Sequence, residues 1–106
     1  MIGSMVEAVN DPRLRICLDV GHAHCNSHTS VLAWIQALRT KIGFVHLHNN
    51  HGERDEHLPF AQGSMDMLAV CHALDEHAPD AIWAIELPAS ELAGAVLWLQ
   101  KNGFIS

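Results

Sequence analysis

Three short apolar runs, each closing on residues that can bind a metal or move a proton, most limit how this chain can fold. They are residues 14–20 (LRICLDV), 42–48 (IGFVHLH) and 81–87 (AIWAIEL). Each is β-prone and bounded by turn formers, so each reads as a strand. Between them lie stretches with helical spacing. Val31, Trp34, Ile35 and Leu38 mark one face of a helix over residues 30–41, with Thr29 or Ser30 able to cap its start. Met67, Val70, Cys71 and Leu74 form a second stripe, with Ser64 as cap, Asp66 placed for the helix dipole and Pro79 closing it. Pro88 and Ser90 open a third helix, with Leu92, Val96 and Leu99 available to the core and Gly103 at C′. Strands alternating with helices predict parallel β/α units. Strands apolar on both faces predict a sheet covered by helices. The fold class is therefore α/β. Residues 2–9 (IGSMVEAV) read as the end of a preceding helix, which suggests a missing N-terminal portion.

Composition narrows the function. The chain has 106 residues, 49% of them hydrophobic, enough for one small packed domain. No apolar run approaches the ~20 residues a membrane span needs. The first dozen residues lack the basic and apolar regions of a signal peptide, so the expected compartment is the cytoplasm. The formal charge is -6, and the few Lys and Arg are scattered, which argues against a nucleic-acid surface. Cys17, Cys25 and Cys71 form no CxxC pair and read as small buried or half-buried thiols in a reducing compartment. Histidine is the anomaly. There are 9, most of them in segments 22–28 and 46–57. It is a common transition-metal ligand and a common proton-transfer group.

The chemistry gathers at the strand ends. Asp19 ends the first run, His46 and His48 the second, Glu86 the third. Ligands of parallel β/α folds bind at that edge. A carboxylate in an apolar strand is costly unless it is paired or metal-bound, and Glu86 has no basic neighbour in sequence. Asp, His and Glu together suit a divalent ion: Mn²⁺, Mg²⁺, Co²⁺ or Zn²⁺. The competing account is a buried Asp–His or Glu–His pair that ties strand ends together. The long polar loop 49–63 (NNHGERDEHLPFAQG) is the length and character of a functional loop. Its Arg54 can meet a phosphate or hydroxyl, although Glu53, Arg54 and Glu56 read most simply as solvated. His24, His28 and His51 read as exposed loop histidines, His72 and His77 as surface positions on a helix, and Trp34, Trp83 and Trp98 as core.

The segments LRICLDVGHAH, FVHLHNNHGERDEHLPFAQGSMD and IWAIELP resemble, in order and spacing, the last three strand-and-loop motifs of the xylose-isomerase-like TIM barrels. The branch they most resemble is the sugar-phosphate isomerase/epimerase family, and endonuclease IV-type nucleases are divergent relatives. The resemblance implies one partial barrel domain over residues 1–106. Its roughly three β/α units would be completed by a longer chain or by homo-oligomerisation. It implies Asp19, His46 and Glu86 as metal ligands and Glu86 and His22 as catalytic. His22, Arg54 and His48 would be substrate contacts. Asp55 and His57 would be an additional metal-binding pair in the nuclease branch. The departures are Asn49 where relatives often carry aspartate, Ala61 where many carry glycine, and a fourth ligand glutamate that would lie upstream of Met1.

Three readings follow. The first is a metal-dependent isomerase or epimerase of a small sugar or sugar phosphate, which transfers a proton beside a polarised carbonyl. The second is an endonuclease IV-like phosphodiesterase. The third is a truncated, non-catalytic barrel fragment or assembly module.

Overall fold

The computed structural model describes residues 13–106. The reading of residues 2–9 lies outside them. Three strands form one parallel sheet in the order β1 (Ile16–Asp19), β2 (Ile42–Leu47) and β3 (Ile82–Ile85). Four helices join and follow them: α1 (Val20–Asn26), α2 (Val31–Leu38), α3 (Met67–His77) and α4 (Leu92–Lys101). The arrangement is a partial TIM barrel.

Register decides what each sheet face carries. Cys17 pairs with Phe44 and Phe44 with Ile82; Asp19 pairs with His46 and His46 with Ala84. Side chains alternate along a strand, so these two rows share one face. The opposite face presents Leu18, Val45 and Leu47, all buried against the helices. Ile35, Leu38, Val70, Cys71 and Leu74 complete that core. Burying each large aliphatic contributes roughly 1.5–3 kcal/mol. The face bearing Asp19 and His46 is open: Phe44 and Ile82 are exposed hydrophobics. Among the described residues, helices thus cover one face of the sheet, as in a barrel, where the second face is the inner wall.

Several expectations about caps and boundaries change. The first loop begins instead as helix α1, because the Asp19 carboxylate accepts the His22 N–H at 2.8 Å and caps it at the strand end. Ser30 caps α2 by accepting from the Ala33 N–H at 3.1 Å. Asp66, rather than Ser64, caps α3, accepting from Ala69 N–H at 3.1 Å. Ser64 lies before the helix and pairs with His24 Nε2 at 2.8 Å. In α4 the buried residues are Ala95 and Leu99, whereas Leu92 and Val96 are exposed. That helix follows a 3-10 turn at Ala89–Glu91, so its inward stripe falls elsewhere than predicted. Gly103 takes φ +82, the Phe104 N–H reaches Leu99 O and the Gly103 N–H reaches Gln100 O, a Schellman stop with glycine at C′. Trp34, Trp83 and Trp98 pack half-buried against the core. Cys71 is buried and Cys25 half-buried, but Cys17, on the open sheet face, is exposed.

Candidate metal centre

Glu86 follows β3 directly, and its N–H donates to Leu47 O at 3.0 Å, so its position is fixed by the sheet. Its Oε1 lies 2.8 Å from His46 Nδ1, and Asp19 Oδ2 lies 3.8 Å from the same nitrogen. The three side chains are 30%, 30% and 40% exposed for His46, Asp19 and Glu86, enough to admit a ligand from the open face. Metal–ligand bonds near 2.1 Å at right angles put donor atoms about 3 Å apart. One imidazole and two carboxylates are the donor types that hard or borderline divalent ions take, and both carboxylates face the same imidazole nitrogen. Cys17 Sγ is 3.7 Å from His46 Nε2, on the other side of the ring from the carboxylates' nitrogen.

Behind these groups lies a second histidine. His48 is fully buried, and its Nε2 pairs with Asp19 Oδ1 at 2.5 Å. A Cβ added at Gly21 would overlap the His48 ring, so glycine there makes room for the imidazole. The His57 ring stacks on the other side, centroids 4.0 Å apart and planes within 3°. His57 sits at φ +55, donates from Nδ1 to the Glu86 carbonyl at 2.9 Å and faces Asp55 Oδ1 with Nε2 at 3.2 Å. The Glu86 carbonyl, and then Asp55, raise the His57 pKa above the ordinary imidazole value. His48 Nδ1 is buried with no hydrogen-bond partner among the described residues and lies 3.8 Å from Asp55 Oδ1. Among the described residues, the donor atoms that all fall within 4.8 Å of one another are those of His48, Asp55 and His57, a group able to hold an ion.

The remaining candidates divide. His22 is exposed, and with Asp19 it lines a cavity of about 280 Å³ beside β1. Arg54 is exposed at the tip of the loop. His48 is fully buried behind Asp19, with no solvent-facing surface among the described residues.

Sequence reasoning passed over what holds the loop. Asn49 and Asn50 are fully buried. Asn49 Nδ2 donates to Phe60 O and Met65 O, at 2.8 and 3.0 Å. Asn49 Oδ1 accepts from the Asn50 and Met65 N–H groups, at 2.8 and 3.2 Å. Asn50 Nδ2 donates to Gly21 O at 2.8 Å and its Oδ1 accepts from Gly52 N–H at 2.8 Å. Gly63 lets the chain approach Asn49 where a Cβ would overlap its amide. The available signal was an Asn pair directly after an apolar strand, where side chains can replace missing sheet partners. At the loop's outer edge Glu56 accepts from the His51 N–H, which pulls its carboxyl below the usual range.

Comparison with known proteins fixes the lineage. The family model described as xylose isomerase-like TIM barrel matches residues 2–102. The chain belongs to that family. Among solved structures, this xylose isomerase-like chain is similar to a D-tagatose 3-epimerase-like protein, with a TM-score of 0.72 and 25% identity. That match covers 93% of this chain and 39% of the epimerase-like one. Two uncharacterized proteins of Methanocaldococcus jannaschii are also similar. MJ1311 is 30% identical over 83 residues, which is 77% of this chain and 28% of the relative. MJ1614 is 38% identical over 53 residues, which is 50% of this chain and 20% of the relative. The chain thus spans less than half the length of each of these relatives.

Proposed function

We propose that this chain carries part of the active centre of a metal-dependent isomerase or epimerase acting on a small sugar or sugar phosphate. The observation that carries the reading is the approach of Glu86 Oε1 and Asp19 Oδ2 to one nitrogen of His46. Asp19, His46 and Glu86 would hold the divalent ion, Mn²⁺, Mg²⁺, Co²⁺ or Zn²⁺. Such an ion, when bound, polarises a carbonyl and its adjacent hydroxyl. The second carboxylate oxygen of Glu86 would take a proton from the neighbouring carbon and, in an isomerisation, deliver it to the adjacent carbon of the enediol, whereas an epimerisation would need a second acid to protonate the opposite face. His22 holds a substrate oxygen at the mouth of the cavity beside Asp19, and Arg54 reaches a phosphate or hydroxyl from the loop. Loop 49–63, held at its base by the buried asparagines, limits water at the reacting atoms.

The domain reading accompanies this. Residues 1–106 act as one partial barrel, completed by further β/α units of a longer chain or by a second copy, in a reducing cytoplasm. Among the described residues no helix is long and apolar enough to cross a membrane.

The test is Mn²⁺ binding by calorimetry together with turnover of ketose sugars and their phosphates. Wild-type protein is expected to bind Mn²⁺, and Glu86→Gln to weaken binding and abolish turnover. A wild-type chain that takes up no divalent ion, at any oligomeric state, would sink the proposal.

Two other readings remain. The grouping of His48, Asp55 and His57 favours an endonuclease IV-like phosphodiesterase with Asp55 and His57 on an additional zinc. Three tightly bound zinc ions and cleavage of abasic DNA would establish it. The third reading is a non-catalytic fragment or assembly module. Metal uptake without turnover would favour that.

A further inference from the structure

Resting on the reading of Asp19, His46 and Glu86 as ion ligands, we infer that His48 and His57 are positioning residues, a stacked pair that ties the Asp19 carboxylate to the backbone of Glu86. Four contacts make the link. His48 Nε2–H donates to Asp19 Oδ1 at 2.5 Å. The same oxygen accepts the His22 N–H at 2.8 Å, so Oδ1 is fully used and Oδ2 is the oxygen left facing His46. The His48 ring stacks on His57 at 4.0 Å. His57 Nδ1–H donates to the Glu86 carbonyl at 2.9 Å, next to the ligand side chain itself. The path Asp19–His48–His57–Glu86 therefore runs from the end of β1 to the end of β3, bypassing His46 on β2.

The ring of His48 has little freedom to do anything else. It is 0% exposed, Gly21 backs onto it with no room for a Cβ, and His57 covers its other face. Among the described residues its buried Nδ1 has no hydrogen-bond partner. A buried unpaired nitrogen is costly, and an apolar ring would fill the same space without that cost. What an apolar ring lacks is the N–H that Asp19 receives. Partners of this kind fix the direction of a ligand's lone pairs, and losing one typically weakens metal affinity about 10–100-fold. His57 at φ +55 is an unusual backbone for a residue other than glycine, held by the Glu86 carbonyl on one nitrogen and Asp55 on the other.

The experiment is a Co²⁺ titration of the purified chain, followed by visible absorption, with ion stoichiometry measured in parallel. His48→Phe is expected to lose about 10–100-fold in Co²⁺ affinity and to change the ligand-field spectrum. His48→Gln, whose amide N–H can still donate to Asp19, is expected to regain most of both. A purely space-filling role predicts the opposite order. His57→Asn removes the stack from a half-exposed position and keeps a residue that tolerates positive φ. It is expected to weaken Co²⁺ binding with the circular dichroism unchanged, and it serves if the core variants fail to fold. Variants that bind Co²⁺ as wild type does, with the same spectrum, would overturn the inference alone. So would a second Co²⁺ per chain that His57→Asn removes while the first stays tight, since His57 would then be a ligand. A wild-type chain that binds no Co²⁺ would remove the ligand assignment, and the inference with it.

Discussion

Replacing Asn49 by alanine tests whether the loop beside the candidate centre is anchored by a single amide. The side chain is 0% exposed and makes four hydrogen bonds, to Phe60 O, Met65 O, Asn50 N–H and Met65 N–H. At roughly 0.5–1.5 kcal/mol net per bond, their loss costs about 2–6 kcal/mol, with any entering water drawing the figure toward the lower end. That is a large part of the ~5–15 kcal/mol that holds a typical domain folded. Urea unfolding followed by the fluorescence of Trp34, Trp83 and Trp98 reads the change as a lower midpoint. Limited proteolysis should show new cleavage within residues 51–58, because the Asn49–Leu58 bridge loses its support. Asn49→Asp is the sharper control. It keeps an acceptor for the two N–H groups but turns a carboxylate oxygen toward the carbonyls of Phe60 and Met65, so it should not rescue. A loss below about 1 kcal/mol for the alanine variant, or an aspartate variant as stable as wild type, would refute the anchoring argument.

Two further outcomes follow from the packing around Gly21 and Cys71. Gly21→Ala should force the His48 ring out of place and lower stability by about 1–3 kcal/mol, with weaker divalent-ion binding than wild type, as thermal melts and calorimetry would show. Burial pushes the Cys71 thiol up to about 12, so in mildly alkaline buffer Cys71 should resist alkylation in the folded chain while exposed Cys17 is labelled; mass spectrometry of the tryptic peptides reads both.

The strands were legible in the sequence because each is a short apolar run on a half-buried sheet, and the closing residues Asp19, His46 and Glu86 stood out as polar groups in apolar company. The Ser30 cap and the Gly103 stop were legible too, since each follows from local chemistry. Helix α1 was not. GHAHCN has no apolar period, and its helix depends on a carboxylate at the strand end doubling as a cap. The depth of His48 was also hidden. From sequence it is one of two histidines on the same strand face, and only the glycine behind it and the ring stacked on it decide that His46 meets solvent and His48 does not. Asn49 and Asn50 looked like ordinary loop polarity. Their burial depends on Gly63 and on backbone carbonyls more than ten residues away, which no local pattern reports.

The buried asparagine clamp also separates two kinds of change. Asp19, His46 and Glu86 belong to the sheet or to the peptide next to it, whereas Gly52, Glu53 and Arg54 lie beyond the clamp. Residues at the outer tip can be exchanged, lengthened or recharged without disturbing the strand-borne trio. If the proposed function holds, selectivity toward a new small molecule is best sought by grafting alternative tips between Asn50 and Asp55, with Asp19, His46 and Glu86 left untouched.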